Sequence, residues 1–166
     1  MSENQRTVTV TITPKQDCKL ILKRGIESED YFAFCAEMGC NWWKILEIVP
    51  GALDKVVFLE LPPHMIPPGT SKAAVALEIP LDFSGEIPKG FEVVPLPSSL
   101  YMWFNGAAYE DESWYGCAHE EIYRAIANYK PELYGYEFAK DIAPTFTYGA
   151  SAINGCRTII PVRKIK

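Results

Sequence analysis

Two histidines in 166 residues, His64 and His119, leave little for metal or acid–base chemistry built on imidazole. Zinc requires three or four converging ligands, and the five cysteines (Cys18, Cys35, Cys40, Cys117 and Cys156) are scattered without a CxxC spacing. Cys117 and His119 stand close in sequence, but the single other histidine offers no third ligand, so no metal is expected. In a reducing compartment such cysteines read as small apolar fillers. There is no GxSxG elbow and no Ser/His/Asp order to carry nucleophilic catalysis. Phosphate-cradling glycine loops are absent as well, so no cofactor is expected.

Basic charge is also scarce. Sixteen Lys and Arg against 21 Asp and Glu give a net charge of −5, and phosphate backbones need a concentrated positive surface. The main basic cluster, Arg157 with Arg163, Lys164 and Lys166, reads as a solvated strand end. Direct nucleic-acid binding is therefore not expected. No apolar run approaches the ~18 residues of a membrane span, and Met1 to Arg6 carries no signal-peptide pattern. A cytoplasmic protein without membrane partners is the expectation.

What the chain does have is apolar and aromatic bulk: 48% hydrophobic and 13% aromatic residues, enough for one domain of this length to bury a sizeable core. Thr7 to Thr13 alternates threonine with Val and Ile, a strand that Pro14 ends. Cys18 to Lys23 is a second strand. Ser28 is a candidate N-cap for a helix whose apolar stripe runs through Tyr31, Phe34, Cys35, Met38, Trp42, Ile45, Leu46 and Val49, with a kink at Gly39. Trp43 falls off that stripe, free to close a pocket, to meet another subunit or to lie on the surface. Lys55 to Leu61 and Ala73 to Phe83 are further strands, and Pro80 marks the latter as an edge or bulge.

The breaker-rich Ser84 to Gly90 separates two halves, about 6–83 and 90–166, that repeat one order of strands about a helix. In the second half Phe91 to Leu96 and Leu100 to Phe104 are strands. A helical stripe then runs from Trp114 to Tyr129. Tyr134 to Phe138, Thr145 to Tyr148 and Arg157 to Val162 follow as strands. This order predicts an α+β fold of duplicated topology: an antiparallel sheet with one helix per half and a central seam, a common place for a small-molecule pocket. Alternation within Leu133 to Phe138 places Tyr134, Tyr136 and Phe138 on one face and Glu137 on the other, either in solvent or at the floor of a cavity. Glu60, in the matching run of the first half, and Glu78 stand in apolar runs that a half-exposed sheet would explain. On the strand Leu100 to Phe104, Tyr101 and Trp103 share a face and suit a pocket wall, because buried Tyr OH and Trp NH groups need partners.

Several segments together resemble the GyrI-like small-molecule-binding domain, the effector-binding half of AraC-type regulators. They are Phe58 to Pro63, Pro68 to Asp82, Gly90 to Pro95, Tyr129 to Phe138 and Ile160 to Arg163; the similarity covers residues 18–166 and implies a duplicated β-α-β-β module with two main helices. The resemblance implies a central groove for hydrophobic, often cationic, compounds, with an acid on the strand after the second helix at its floor. Glu137 matches that position. Trp43, Tyr101, Trp103 and Tyr148 would supply ligand contacts. Regulators of this type carry a DNA-binding domain ahead of this module, so this chain resembles the stand-alone members. The resemblance also leaves two other functions open. One is hydrolysis of electrophilic cyclopropanoid-type toxins, with Glu137 as the catalytic general base. The other is contact with a protein partner or a second copy as a homodimer.

Overall fold

A computed structural model describes residues 7–151 and 154–166. Its backbone is one continuous antiparallel sheet carrying three helices. The strands are β1 (Val8–Lys15), β2 (Cys18–Arg24), β3 (Val57–Glu60), β4 (Ala73–Ile79), β5 (Glu92–Leu96), β6 (Ser99–Gly106), β7 (Tyr136–Phe138), β8 (Thr145–Ser151) and β9 (Gly155–Lys164); the helices are α1 (Tyr31–Met38), α2 (Trp42–Glu47) and α3 (Tyr115–Asn128). The order across the sheet is β1-β6-β9-β8-β3-β4-β2-β5, with β7 added on β9. Exchanging β1 with β5, β2 with β6, β3 with β8 and β4 with β9 reverses this order onto itself. The first strand of each half thus lies at the far edge of the other half, and β3 pairs with β8 at the centre. This is the α+β, antiparallel architecture expected from the sequence.

Connection lengths dictate the curvature. Six strand spacings separate β1 from β2, which in a flat sheet is about 29 Å. Only Gln16 and Asp17 link Lys15 to Cys18, three Cα steps that reach at most about 11 Å. Pro97 and Ser98 join β5 to β6 across the same number of strands. The sheet must therefore curl until its two flanks nearly meet, and Asp17 ties the connectors together by accepting a 2.6 Å hydrogen bond from the Ser98 amide.

Curling creates two kinds of surface. The convex face carries the helices. Phe34, Trp42 and Leu46 of α1 and α2 pack with Ile21, Val75, Leu77 and Ile79. Ala118 and Ile122 of α3 pack with Met102, Phe104 and Ile160. Among the described residues no α-helix covers the concave face, yet Leu20, Leu22, Leu59, Ala74, Ala76, Tyr101, Phe146, Tyr148 and Ile159 are buried together there, with Met65 and Ile66 packed against them. Side chains from opposite flanks fill the interior of the curl.

Four local expectations change. The first helical stripe is broken into α1 and α2, because Gly39 adopts φ +81° and cannot continue a helix. The capping side chain is Asp30, which accepts a 2.8 Å hydrogen bond from the Ala33 amide, not Ser28. Pro80 does not mark an edge: β4 ends at Ile79, and all seven of its residues are buried. Pro131 to Tyr134 forms a 3-10 turn closed by Gly135 at φ +83°, so the following strand is only Tyr136 to Phe138 and Tyr134 is exposed.

His119 on α3 offers a clean readout of packing on the convex face. It stands between Tyr115 and Tyr123, with ring centroids 4.7 and 6.1 Å away, and its Nε2 is buried without a partner. Burial pushes its pKa below the ordinary 6.5. The unfolded chain therefore binds the proton first, and stability falls as pH drops below 6.5 toward the folded-state value. Denaturant titrations above pH 5, before the carboxylates titrate, should show this loss in the native chain and its absence in His119→Leu.

Candidate functional site

The concave face holds one deeply buried carboxylate, and it is Glu78. Its position follows from β4, a central strand flanked by β3 and β2, where Ala74, Ala76 and Glu78 alternate onto the inner face. Glu78 is 2% exposed. A carboxylate so far from water must be matched by donors or a cation. Both are present. Tyr148 donates its hydroxyl to Oε2 at 2.9 Å, and the Lys15 ammonium forms an ion pair with Oε1.

Lys15 is the last residue of β1, so the curl that brings β1 to β2 also brings its ammonium across to β4. Its side chain is only 10% exposed, and the charge sits 5.3 Å from the ring centroid of Trp103 and 5.1 Å from that of Phe146. Those distances are within cation–π range. Trp103 donates its indole N–H to the Thr13 carbonyl at 3.1 Å, fixing the ring against β1. Tyr101 lies behind, its hydroxyl donating to the Pro144 carbonyl at 3.0 Å and its ring edge-on to Phe146. Phe146 and Tyr148 stack with an interplanar angle of 13°.

A second cation closes the other end of this aromatic row. The Arg157 guanidinium lies 3.8 Å from the centroid of Tyr148 and 5.4 Å from that of Trp103, and donates to Asp54 at 2.8 Å. Next to it opens a cleft of about 260 Å³ lined by Asp54, Asn105, Tyr148, Asn154 and Arg157, with the backbone of Gly106, Gly149 and Gly155 as its floor. The electrostatics mark Glu78 as the local negative centre. Burial, and then the Glu78 charge, push the pKa of Tyr148 and Tyr101 upward, so both remain hydroxyl donors. The same two causes push the Cys18 thiol up to about 11, leaving it protonated and unreactive.

Of the residues expected from the sequence, Tyr101, Trp103 and Tyr148 converge on this centre. Glu137 does not. It lies on β7, directly opposite Arg163 of β9, with its side chain 50% exposed and its carboxylate accepting from Arg163 Nε at 2.7 Å. Alternation correctly turns Glu137 away from Tyr136 and Phe138, but β7 is an outer addition to the sheet, so that other face is solvent. The buried carboxylate is Glu78 on β4, whereas Glu137 is half exposed. Trp43 is also elsewhere. It packs on the convex face, where a β-carbon added at Gly149 would stand 2.7 Å from its ring. Its ring contacts are with Trp42 and Gly149.

Lys15, Phe146, Arg157 and Asp54 were not anticipated as site residues. The run from Ala73 to Ile79 did carry a signal, since a strand apolar on both faces forces any acid within it to be buried. Lys15 carried none, because its approach depends on the curl.

No family model and no curated relative matches this chain. Solved structures do. The SAV2435 protein, in a structure bound to tetraphenylphosphonium, aligns with TM-score 0.55 and 18% identity over 93% of this chain and 94% of its own. The EcmrR C-terminal domain gives TM-score 0.54 and 14% identity over 95% and 99%. An integron cassette protein of Vibrio cholerae gives TM-score 0.53 and 16% identity over 98% and 100%. Among the described residues no helix is long and apolar enough to cross a membrane. The curled antiparallel sheet described above is thus the same fold as these proteins, in line with the GyrI-like domain that the sequence resembles.

Proposed function

We propose that this protein binds small hydrophobic or cationic aromatic molecules on the concave face, against Glu78, Trp103 and Tyr148, as a cytoplasmic sensor or sequestrant. The observation that carries the reading is the Lys15 ammonium itself, a cation held between aromatic rings and a buried carboxylate. Those are the interactions that recognise a delocalised organic cation: ring faces attract the charge and the carboxylate neutralises it where water is excluded. The tetraphenylphosphonium-bound structure of SAV2435, which has the same fold, supports this ligand class. Tyr101 contributes by holding Phe146 in place.

Turnover has less support. A general base must come within hydrogen-bond reach of its substrate, and Glu78 is 2% exposed with Lys15 on one oxygen and Tyr148 on the other. Glu137, the base that hydrolysis would use, is an exposed partner of Arg163.

Thermal unfolding in the presence of tetraphenylphosphonium chloride tests the reading. At 100 times its Kd the ligand should add about 2.7 kcal/mol of stability, with tetramethylammonium chloride at equal ionic strength as the control for salt. No shift across a panel of aromatic cations would refute the function.

A further inference from the structure

We propose that Lys15 is the resident cation of this site, a tethered side chain that occupies the position of a ligand's positive charge and must be displaced for a cation to bind. The inference rests on the binding reading above and adds how that site is regulated. Three observations carry it. The ammonium already makes the contacts expected of a ligand charge: the ion pair to Glu78 and the approach to Trp103 and Phe146. The site is filled as well, since Glu78, Lys15, Tyr101, Phe146 and Tyr148 are each at most 10% exposed, and the cleft beside Arg157 is lined by none of Lys15, Glu78, Trp103 and Phe146. Side chains must move before a drug-sized aromatic ligand can enter.

The third observation is which side chain can move. Tyr101, Phe146 and Tyr148 are locked in the core, and Arg157 is anchored by Asp54 on a central strand. Lys15 closes an edge strand whose Thr9, Thr11 and Thr13 are exposed on the same inner side of the sheet. Its stem starts at the rim, so rotation of its own torsions carries the ammonium to water without disturbing the packed strands. Displacement would vacate the aromatic surface and leave Glu78 unneutralised at the same moment. A neutral ligand could not replace that charge, so Lys15 restricts the site to ligands that carry one.

Two measurements test this. Tetraphenylphosphonium is titrated calorimetrically into the native chain and into Lys15→Met, which keeps the stem and removes the charge, with circular dichroism confirming the fold of each. The variant should bind at least tenfold more tightly. If both bind equally, or the variant binds more weakly, the proposal is overturned while the binding function stands; if neither binds, the function fails and the proposal with it. The second measurement needs no substitution. Lysine acetylation read by mass spectrometry should find Lys15 protected in the free native protein relative to the exposed Lys140, and reactive once tetraphenylphosphonium saturates the site. Protection that persists in the saturated protein would overturn the proposal.

Discussion

Replacing Lys15 by methionine is expected to destabilise the protein by about 3–5 kcal/mol, because it strands the Glu78 carboxylate, 2% exposed on β4, without a counter-charge. For a chain of this size that is a fall in Tm of roughly 6–20 °C. The loss comes from an uncompensated charge, not from missing volume. A double variant, Lys15→Met with Glu78→Leu, should accordingly recover most of the stability, since apolar replacement of both partners of a buried pair is often neutral or better. Measured in one denaturant series with Glu78→Leu alone, the three variants form a coupling test: a non-additive recovery above about 1 kcal/mol is the signature of a direct pair. A Lys15→Met loss below that level would mean the carboxylate is not buried as described. An ion pair that can be removed with profit to stability is weak evidence for a structural role.

Gly155→Ala should be nearly as damaging, at about 2–5 kcal/mol. Gly155 opens β9 at φ +70°, where a side chain is disfavoured. A β-carbon there would stand 2.2 Å from the Gly106 carbonyl oxygen and 2.7 Å from that of Ala107. Those are backbone atoms of β6 and its exit, which cannot rotate aside. Relief would require β9 to separate from β6 where Asn105 pairs with Arg157, so the guanidinium would lose its place over Tyr148. Gly69 also has a positive φ but has no neighbour within 4 Å, so Gly69→Ala should cost only the backbone penalty. Equilibrium denaturation of the two variants separates steric clash from conformational strain.

The sequence made the elements of this fold legible and left their approach to one another hidden. Thr7 to Thr13 alternates as a half-buried strand should, but β1 does not stop at Pro14: it runs on to Lys15, paired with Ser99 at the sheet edge. The stripe from Tyr31 to Val49 identified the buried face correctly through Phe34, Trp42 and Leu46, while Gly39 broke the helix more sharply than a kink. Tyr101 and Trp103 were recognisable as inner-face residues because their polar tips require partners, and each has one. The site's acid was harder to identify. Alternation reports which residues share a face but not whether that face is solvent or core, and this ambiguity separates Glu137 on the outer β7 from Glu78 on the central β4.

The curl was not legible for a specific reason. A two-residue link between antiparallel strands ordinarily makes a hairpin, so Gln16-Asp17 and Pro97-Ser98 read as turns between neighbours. In the structure each crosses between strands that do not pair. Everything unexpected at the site follows from that crossing: Lys15 opposite Glu78, a concave face that no α-helix among the described residues covers, and an aromatic row with a cation at each end.

The account's central claim is that Glu78, and not Glu137, is the carboxylate that receives a cationic ligand. Calorimetric titration of tetraphenylphosphonium into the native protein, Glu78→Gln and Glu137→Gln, with the fold of each verified by circular dichroism, tests it most directly. The account predicts at least a tenfold loss of affinity in Glu78→Gln, about 1.4 kcal/mol, and native affinity in Glu137→Gln, whose exposed pair with Arg163 affects the surface alone. Unchanged binding by Glu78→Gln, or loss of binding in Glu137→Gln, would contradict it.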